Sequence, residues 1–457
     1  MTTIRSTRVA LRCAALALAC TVTTIAHAQR ATAAPVAALN GIPQFQADPT
    51  WPQLAANFRW GQVIGIFADS RGHVWTSTSN RIIEWDPQGK LLQSWDARGP
   101  NGNWSTIHGM FVDHNGFVWT NARESNLTVK FTQSGQVVMT IGRYNETGGS
   151  NDTTLMGRPS EIWVDPTDNE VFIADGYGNR RIVVFDGATG KYLRHWGAYG
   201  RRPVDPAGRG GRAGGPAGGP AGGRAAGGAA AGSAAAGGGA AGGRAGGGRG
   251  AAGTVGADPL GSAGRGRGGP PGQALAPQRG SPLAPDTTTA ATEPPSQFSI
   301  PHGIVGSRDG LVYLADRANN RIQVFRQNGE FVREKILRPR CGSQERASWT
   351  PERPCGTEAT FSLGLSHDSP QSYLYSSDGG THVITVLRRS DLEVVGEFGG
   401  PGVGPGQLGR PHNITVDPWG NIYVAEAAGP LIRNAATGDS VAAGFRAQKF
   451  TFTGTRP

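Results

Sequence analysis

The chain is 457 residues long, with 71 Gly, 31 Pro and 17% charged residues, a turn-rich composition poor in helix-forming signals. Its formal net charge is +10 at pH 7, but ten Arg against four acidic residues in 201–298 supply +6 of it and Arg5, Arg8 and Arg12 another +3. The rest is close to neutral, which excludes a broadly basic folded surface, so a nucleic-acid partner is not expected.

The N-terminus reads as an export signal. Arg5, Arg8 and Arg12 form a positive n-region, Cys13 to Ile25 an apolar stretch, and Ala26-His27-Ala28 a small-x-small cleavage site. Residues 1–28 are expected to be removed, leaving 29–457 as a secreted or periplasmic protein. Ala17-Leu18-Ala19-Cys20 loosely resembles a lipoprotein box, the lesser alternative. The apolar stretch is too short to span a bilayer stably, and no other segment is apolar enough to do so.

A phrase then recurs along the chain: two apolar residues, Asp, a Gly turn, and an alternating strand. It begins with Val63-Ile64-Gly65-Ile66-Phe67-Ala68-Asp69 and Gly72-His73-Val74-Trp75. The second copy is Ile107-His108-Gly109-Met110-Phe111-Val112-Asp113 with Gly116-Phe117-Val118-Trp119, and the third is Pro159 to Asp165 with Val171 to Asp175. Each unit continues into a third strand such as Arg181-Ile182-Val183-Val184-Phe185, and a fourth such as Tyr192-Leu193-Arg194-His195-Trp196. Residues 200–297 break the period. They are dominated by Gly, Ala, Pro and Arg, cannot bury enough apolar area to offset their ordering entropy, and are expected to form a disordered insert.

The repeat resumes at Pro301-His302-Gly303-Ile304-Val305 with Val312-Tyr313-Leu314-Ala315-Asp316. Cys341 and Cys355 follow in one loop, and an even pair in an exported chain predicts a disulfide. The fifth copy, Ser362-Leu363-Gly364-Leu365 with Tyr373 to Asp378, is the most degenerate, and the sixth is Pro411-His412-Asn413-Ile414-Thr415-Val416-Asp417 with Ile422 to Glu426. Sheets of four short strands cannot bury both faces alone and must stack on neighbours, which a closed ring achieves. The expected fold is therefore all-β: a six-bladed propeller of NHL-type repeats in one domain, with the insert between blades three and four. A monomer is expected.

His108, His302 and His412 share one position, at the entry to the innermost strand of blades two, four and six. Blades one, three and five carry Ile64, Ser160 and Leu363 there. Alternate blades of a six-fold ring face one another across the axis, so three imidazoles converge on one point. That suits a catalytic zinc ion, which takes three neutral nitrogens at about 2.0–2.1 Å and keeps a fourth position open. Tyr177 and Arg317 lie in matching loops after the second strands of blades three and four, at the same channel mouth. A phenol beside a guanidinium suits a general base.

These residues carry a resemblance. The repeats resemble NHL repeats. The Pro-His segments at His302 and His412, His108 in Ile-His-Gly-Met, Asp-Gly-Tyr177-Gly-Asn-Arg-Arg and Ala-Asp-Arg317-Ala-Asn-Asn-Arg are similar to the peptidyl-α-hydroxyglycine α-amidating lyase family. The resemblance implies a six-bladed propeller with zinc held by His108, His302 and His412, Tyr177 and Arg317 as catalytic residues, and a small-molecule or peptide substrate cleaved at a C–N bond to an amide and glyoxylate. It also implies a structural calcium. The family's Asp for that ion is Asn413 here, its first-blade arginine has only Arg81 nearby, and a family cysteine is replaced by Gly178. The alternative to a lyase is a non-enzymatic secreted NHL-repeat module that binds a protein, peptide or glycan.

Overall fold

Alternating Val, Ile, Phe and Tyr between Gly and Asp turns build short antiparallel strands, and these are collected in six four-stranded sheets. The computed structural model describes residues 37–97, 106–206, 294–338, 358–427, 431–433, 440–442 and 445–457. The export signal, most of the insert, and Cys341 and Cys355 lie outside the described residues.

The innermost strands are Ile66–Ala68, Ile107–Val112, Glu161–Val164, Pro301–Gly306, Leu363–Leu365 and Pro411–Val416. Each packs against the next, and the sixth packs back on the first, closing the ring. Blades one to five each run outward through four strands consecutive in the chain. The sixth differs. Its third strand is Arg446–Arg456, and its outermost strand is Ile42–Asp48 from the other end of the chain, paired from Ile42 opposite Arg456 to Asp48 opposite Lys449. The ladder that joins the two ends removes the open edge a linear array of blades leaves.

The core lies between sheets. Trp163, Phe172, Trp196, Phe298, Ile304, Val312 and Phe325 form one such layer between blades three and four. Burial of each large side chain contributes roughly 1.5–3 kcal/mol. Comparable layers fill the other five junctions. Among the described residues no helix is long and apolar enough to cross a membrane.

The insert is shorter than its composition implies. Residues 200–206 and 294–297 belong to the folded body: Val204 N–H donates to Gln297 Oε1 at 2.9 Å, and Asp205 accepts from the backbone N–H of Ser150 at 2.8 Å and from its hydroxyl. Arg321 and Asn319 donate to the Gln297 carbonyl at 3.2 and 3.0 Å. These polar residues are ordered by hydrogen bonds to neighbouring blades, which composition does not register.

Candidate metal centre

Each of the three histidines is the second residue of its innermost strand, and each strand slips its ladder there. The register shifts between Ile107 and Met110, between Pro301 and Ile304, and between Pro411 and Ile414. Blades three and five double up at the equivalent place, Ser160 and Glu161 both facing Ala174 and Phe361 and Ser362 both facing Ser377, so the slip belongs to the repeat and the histidines occupy it in alternate blades. A bulge of this kind re-aims a side chain, and here it coincides with every histidine of the trio.

The residue after the histidine completes the device. A Cβ on Gly109 would lie 2.3 Å from the Ser160 carbonyl oxygen, and one on Gly303 would lie 2.6 Å from that of Phe361. Those same two carbonyls accept from the ring nitrogens: His108 Nδ1 to Ser160 at 2.9 Å and His302 Nδ1 to Phe361 at 2.7 Å. Glycine is what lets the neighbouring strand come close enough. His412 is followed by Asn413 instead, whose own Oδ1 accepts from His412 Nδ1 at 2.7 Å. With an acceptor at every Nδ1, the proton stays there and all three Nε2 lone pairs are left for the axis.

The three rings lie with centroids 4.8, 4.8 and 4.9 Å apart, fully buried or nearly so. Their ligand atoms fall within 4.8 Å of one another. Burial first holds all three pKa values well below 6.5, helped at His108 by the other two imidazoles, at His302 by His412 and Arg317, and at His412 by Arg317 and Arg410. Three neutral, preoriented imidazoles with no cation partner fit a tetrahedral zinc site.

The sign of these shifts sets an acid lability. An unfolded chain takes up protons at these histidines as pH falls through 6.5, whereas the folded, metal-free chain does not, so their contribution is complete above pH 6.5 and is lost below it. Three histidines give a slope of about 4 kcal/mol per pH unit. Glu161, with its carboxyl pushed by burial up to about 8, works in the opposite sense, but with one proton against three. Thermal midpoints of metal-free protein are expected to fall steeply from pH 6.5 to 5, and a flat profile would contradict neutral burial of the trio.

Tyr177 and Arg317 arrive at the same point. The Tyr177 hydroxyl lies 3.1 Å from His108 Nε2 and 3.0 Å from His302 Nε2, and it accepts from Arg317 Nη1 at 3.1 Å. Its loop is held by a buried frame. Asp175 accepts from Arg181 Nε at 2.9 Å, Asn179 Nδ2 at 2.7 Å and the Gly157 N–H at 2.7 Å. The Arg317 loop repeats the pattern with Asp316, Arg321, Asn319 and Ser299. Asp, Asn and Arg of this motif thus build the loop, and the Tyr or Arg between them is presented to the axis. Asp175→Ala leaves the fully buried Arg181 guanidinium without its carboxylate, and urea unfolding is expected to show a loss of about 3–5 kcal/mol.

The degenerate fifth repeat requires a correction. Leu363 pairs with Ser376, as Ile304 pairs with Leu314, so the residue at the histidine position is Phe361 rather than Leu363. Its ring packs 5.2 Å from that of His302 and 5.0 Å from that of His412. One position further along, blades three, five and six supply Glu161, Ser362 and Asn413. Ser362 Oγ donates to Glu161 at 3.1 Å and Asn413 Nδ2 donates to it at 3.1 Å. The Asn413 oxygen is turned to His412, so in this conformation Asn413 presents its N–H rather than its oxygen to Glu161.

Arg81 is distant from this chemistry, pairing with Asp96 on the surface. Sequence reasoning passed over the arginines that are present. Arg123 follows the second strand of blade two as Arg317 follows that of blade four, each in a 3-10 turn closed by a left-handed Asn. Its guanidinium lies 4.6 Å from the Tyr177 ring centre. That shared register was the available signal. A second cluster, Asp69, His73 and Glu84, already holds a cation: Arg71 donates to both carboxylates at 2.5 and 2.9 Å.

The NHL repeat model matches residues 298–325, the inner part of blade four. Among solved structures, a catalytically inactive virginiamycin B lyase from Staphylococcus aureus with quinupristin is 13% identical, over 89% of this chain and 99% of that one, at a TM-score of 0.43. A gluconolactonase from Xanthomonas campestris is 11% identical, over 92% and 100% of the two chains, at 0.42. The WD40 repeats of RRP9 are 8% identical, over 90% and 100%, at 0.46. This chain carries an NHL repeat within a six-bladed β-propeller.

Proposed function

We propose that the protein is a zinc-dependent lyase that cleaves the C–N bond of an N-acylated α-hydroxyglycine, giving an amide and glyoxylate. The observation that carries the reading is the convergence of three neutral, preoriented Nε2 atoms beside one phenol hydroxyl, itself held by a buried guanidinium. His108, His302 and His412 are the residues that would hold the ion. Zinc, when bound, supplies Lewis acidity that lowers the pKa of a coordinated oxygen.

Tyr177 takes the proton of the carbinol hydroxyl and delivers one to the departing amide nitrogen. As the carbinol C–O becomes a carbonyl, the C–N electron pair leaves with the amide, and no oxidant or external water is consumed. Arg317 keeps the Tyr177 oxygen aimed, with its Nη1 on the phenol and its Nη2 on Glu358 at 2.8 Å.

The test is elemental analysis of mature protein together with glyoxylate release from N-benzoyl-α-hydroxyglycine. About one zinc per chain and activity lost on chelation support the reading. Full activity without metal overturns it, and absence of both metal and activity returns the histidines to a structural role and the mouth to a binding surface.

A further inference from the structure

Two of the three histidines take their tautomer from the backbone. The Ser160 and Phe361 carbonyls that face His108 Nδ1 and His302 Nδ1 are acceptors only. His412 Nδ1 faces a side-chain amide instead, Asn413 Oδ1 at 2.7 Å. An amide carries an acceptor on one side and two donors on the other. Turned over, Asn413 would present its NH2 group to His412 Nδ1, force the ring proton to Nε2, and remove the third lone pair from the axis. The amide therefore has to be held the right way round.

The hold lies on the axis itself. Asn413 is fully buried, and its Nδ2 faces two acceptors, Glu161 Oε1 at 3.1 Å and the His108 carbonyl at 3.5 Å. Glu161 is fixed in turn. Ser362 Oγ lies 3.1 and 3.2 Å from its two oxygens, and the Ile304 N–H donates to it as well. Ser362 Oγ accepts from the Ile414 N–H at 3.3 Å, which leaves its own proton for Glu161. Glu161, Ile304 and Ser362 belong to blades three, four and five, and Asn413 to blade six, so three blades aim one carboxyl at one amide of a fourth. The chemistry proposed above makes no use of this carboxyl.

We propose that Glu161 is a positioning residue that sets the tautomer of His412 through Asn413. It turns the amide oxygen to His412 Nδ1, which keeps the proton there and the Nε2 lone pair on the axis. The value of the relay to the site rests on the reading of the trio as zinc ligands, but the tautomer is defined without metal or turnover. Because backbone carbonyls orient the other two rings, the effect of Glu161 is confined to His412. Asn413→Asp removes the need for the hold, since either carboxylate oxygen accepts from His412 Nδ1.

The experiment is long-range 1H–15N NMR of histidine-labelled, metal-free full chain, with zinc affinity read by chelator competition. The unaltered protein is expected to show the Nδ1–H tautomer at His108, His302 and His412. Glu161→Met is expected to move His412 alone towards Nε2–H and to weaken zinc by about tenfold or more, the usual worth of such an outer partner. In an Asn413→Asp background the same substitution is expected to change neither readout. Should Glu161→Met not fold, Glu161→Asp withdraws the carboxyl from Asn413 by one methylene, and His412 is then expected to show both tautomers. Nε2–H at His412 in the unaltered protein, Nδ1–H alone in the folded Glu161 variants, or a change at His108 and His302 as large as that at His412 overturns the proposal. The expected response at His412 without zinc uptake by the unaltered protein upholds the relay and rejects only the zinc reading.

Discussion

His302→Ala is expected to abolish metal binding and to lower glyoxylate release by about 10³-fold or more, a loss of about 4 kcal/mol in transition-state stabilisation. His302 carries this weight because it is fully buried, its Nδ1 is fixed by the Phe361 carbonyl, and its Nε2 lies 3.0 Å from the Tyr177 hydroxyl. Alanine removes one of three nitrogen ligands and leaves a polar gap that two imidazoles cannot close. The fold is expected to survive, because the bulge, Gly303 and the ladder of Pro301–Gly306 remain. Elemental analysis and a thermal midpoint on the same preparation separate the outcomes. A folded variant that keeps stoichiometric zinc places the metal elsewhere.

Much of this arrangement was legible before any coordinates. A repeated alternating phrase with Gly and Asp turns gives six blades, because strand alternation and turn chemistry are local. The same phrase aligned His108, His302 and His412, since repeats superpose in the ring as they do in the chain. Tyr177 and Arg317 followed from equivalent loops. Other features were hidden for physical reasons. The pairing of Ile42–Asp48 with Arg446–Arg456 joins residues at opposite ends of the chain and leaves no local pattern. The register of blade five was read from an apolar Leu363, but the ladder to Ser376 puts Phe361 on the axis, and apolar identity alone does not distinguish the two. Arg123 shares the register of Arg317, but nothing in a linear sequence shows that Arg158 reaches the same tyrosine ring. Gly109 and Gly303 carry no local sequence signal of their task, which is to admit the carbonyls of neighbouring blades that orient His108 and His302.

Tyr177→Phe is the variant that separates metal binding from chemistry. It removes one oxygen, and the packing of the ring against His108 and His302, at centroid distances of 5.1 and 5.5 Å, is retained. Zinc content is expected to be unchanged, because all three Nδ1 acceptors lie on other residues. The kcat is expected to fall by about 10²–10⁴-fold, the usual contribution of a positioned general acid–base group. KM is expected to move little, since Tyr177 handles the proton and the arginines supply the charge that holds the substrate. Arg317 loses its phenol acceptor in this variant but keeps Glu358, so the guanidinium remains paired and in place. A drop in kcat at constant zinc assigns the proton transfer to Tyr177. Unchanged kcat would mean that another group carries the proton, and the hydroxyl would then be an orienting contact for the imidazoles alone.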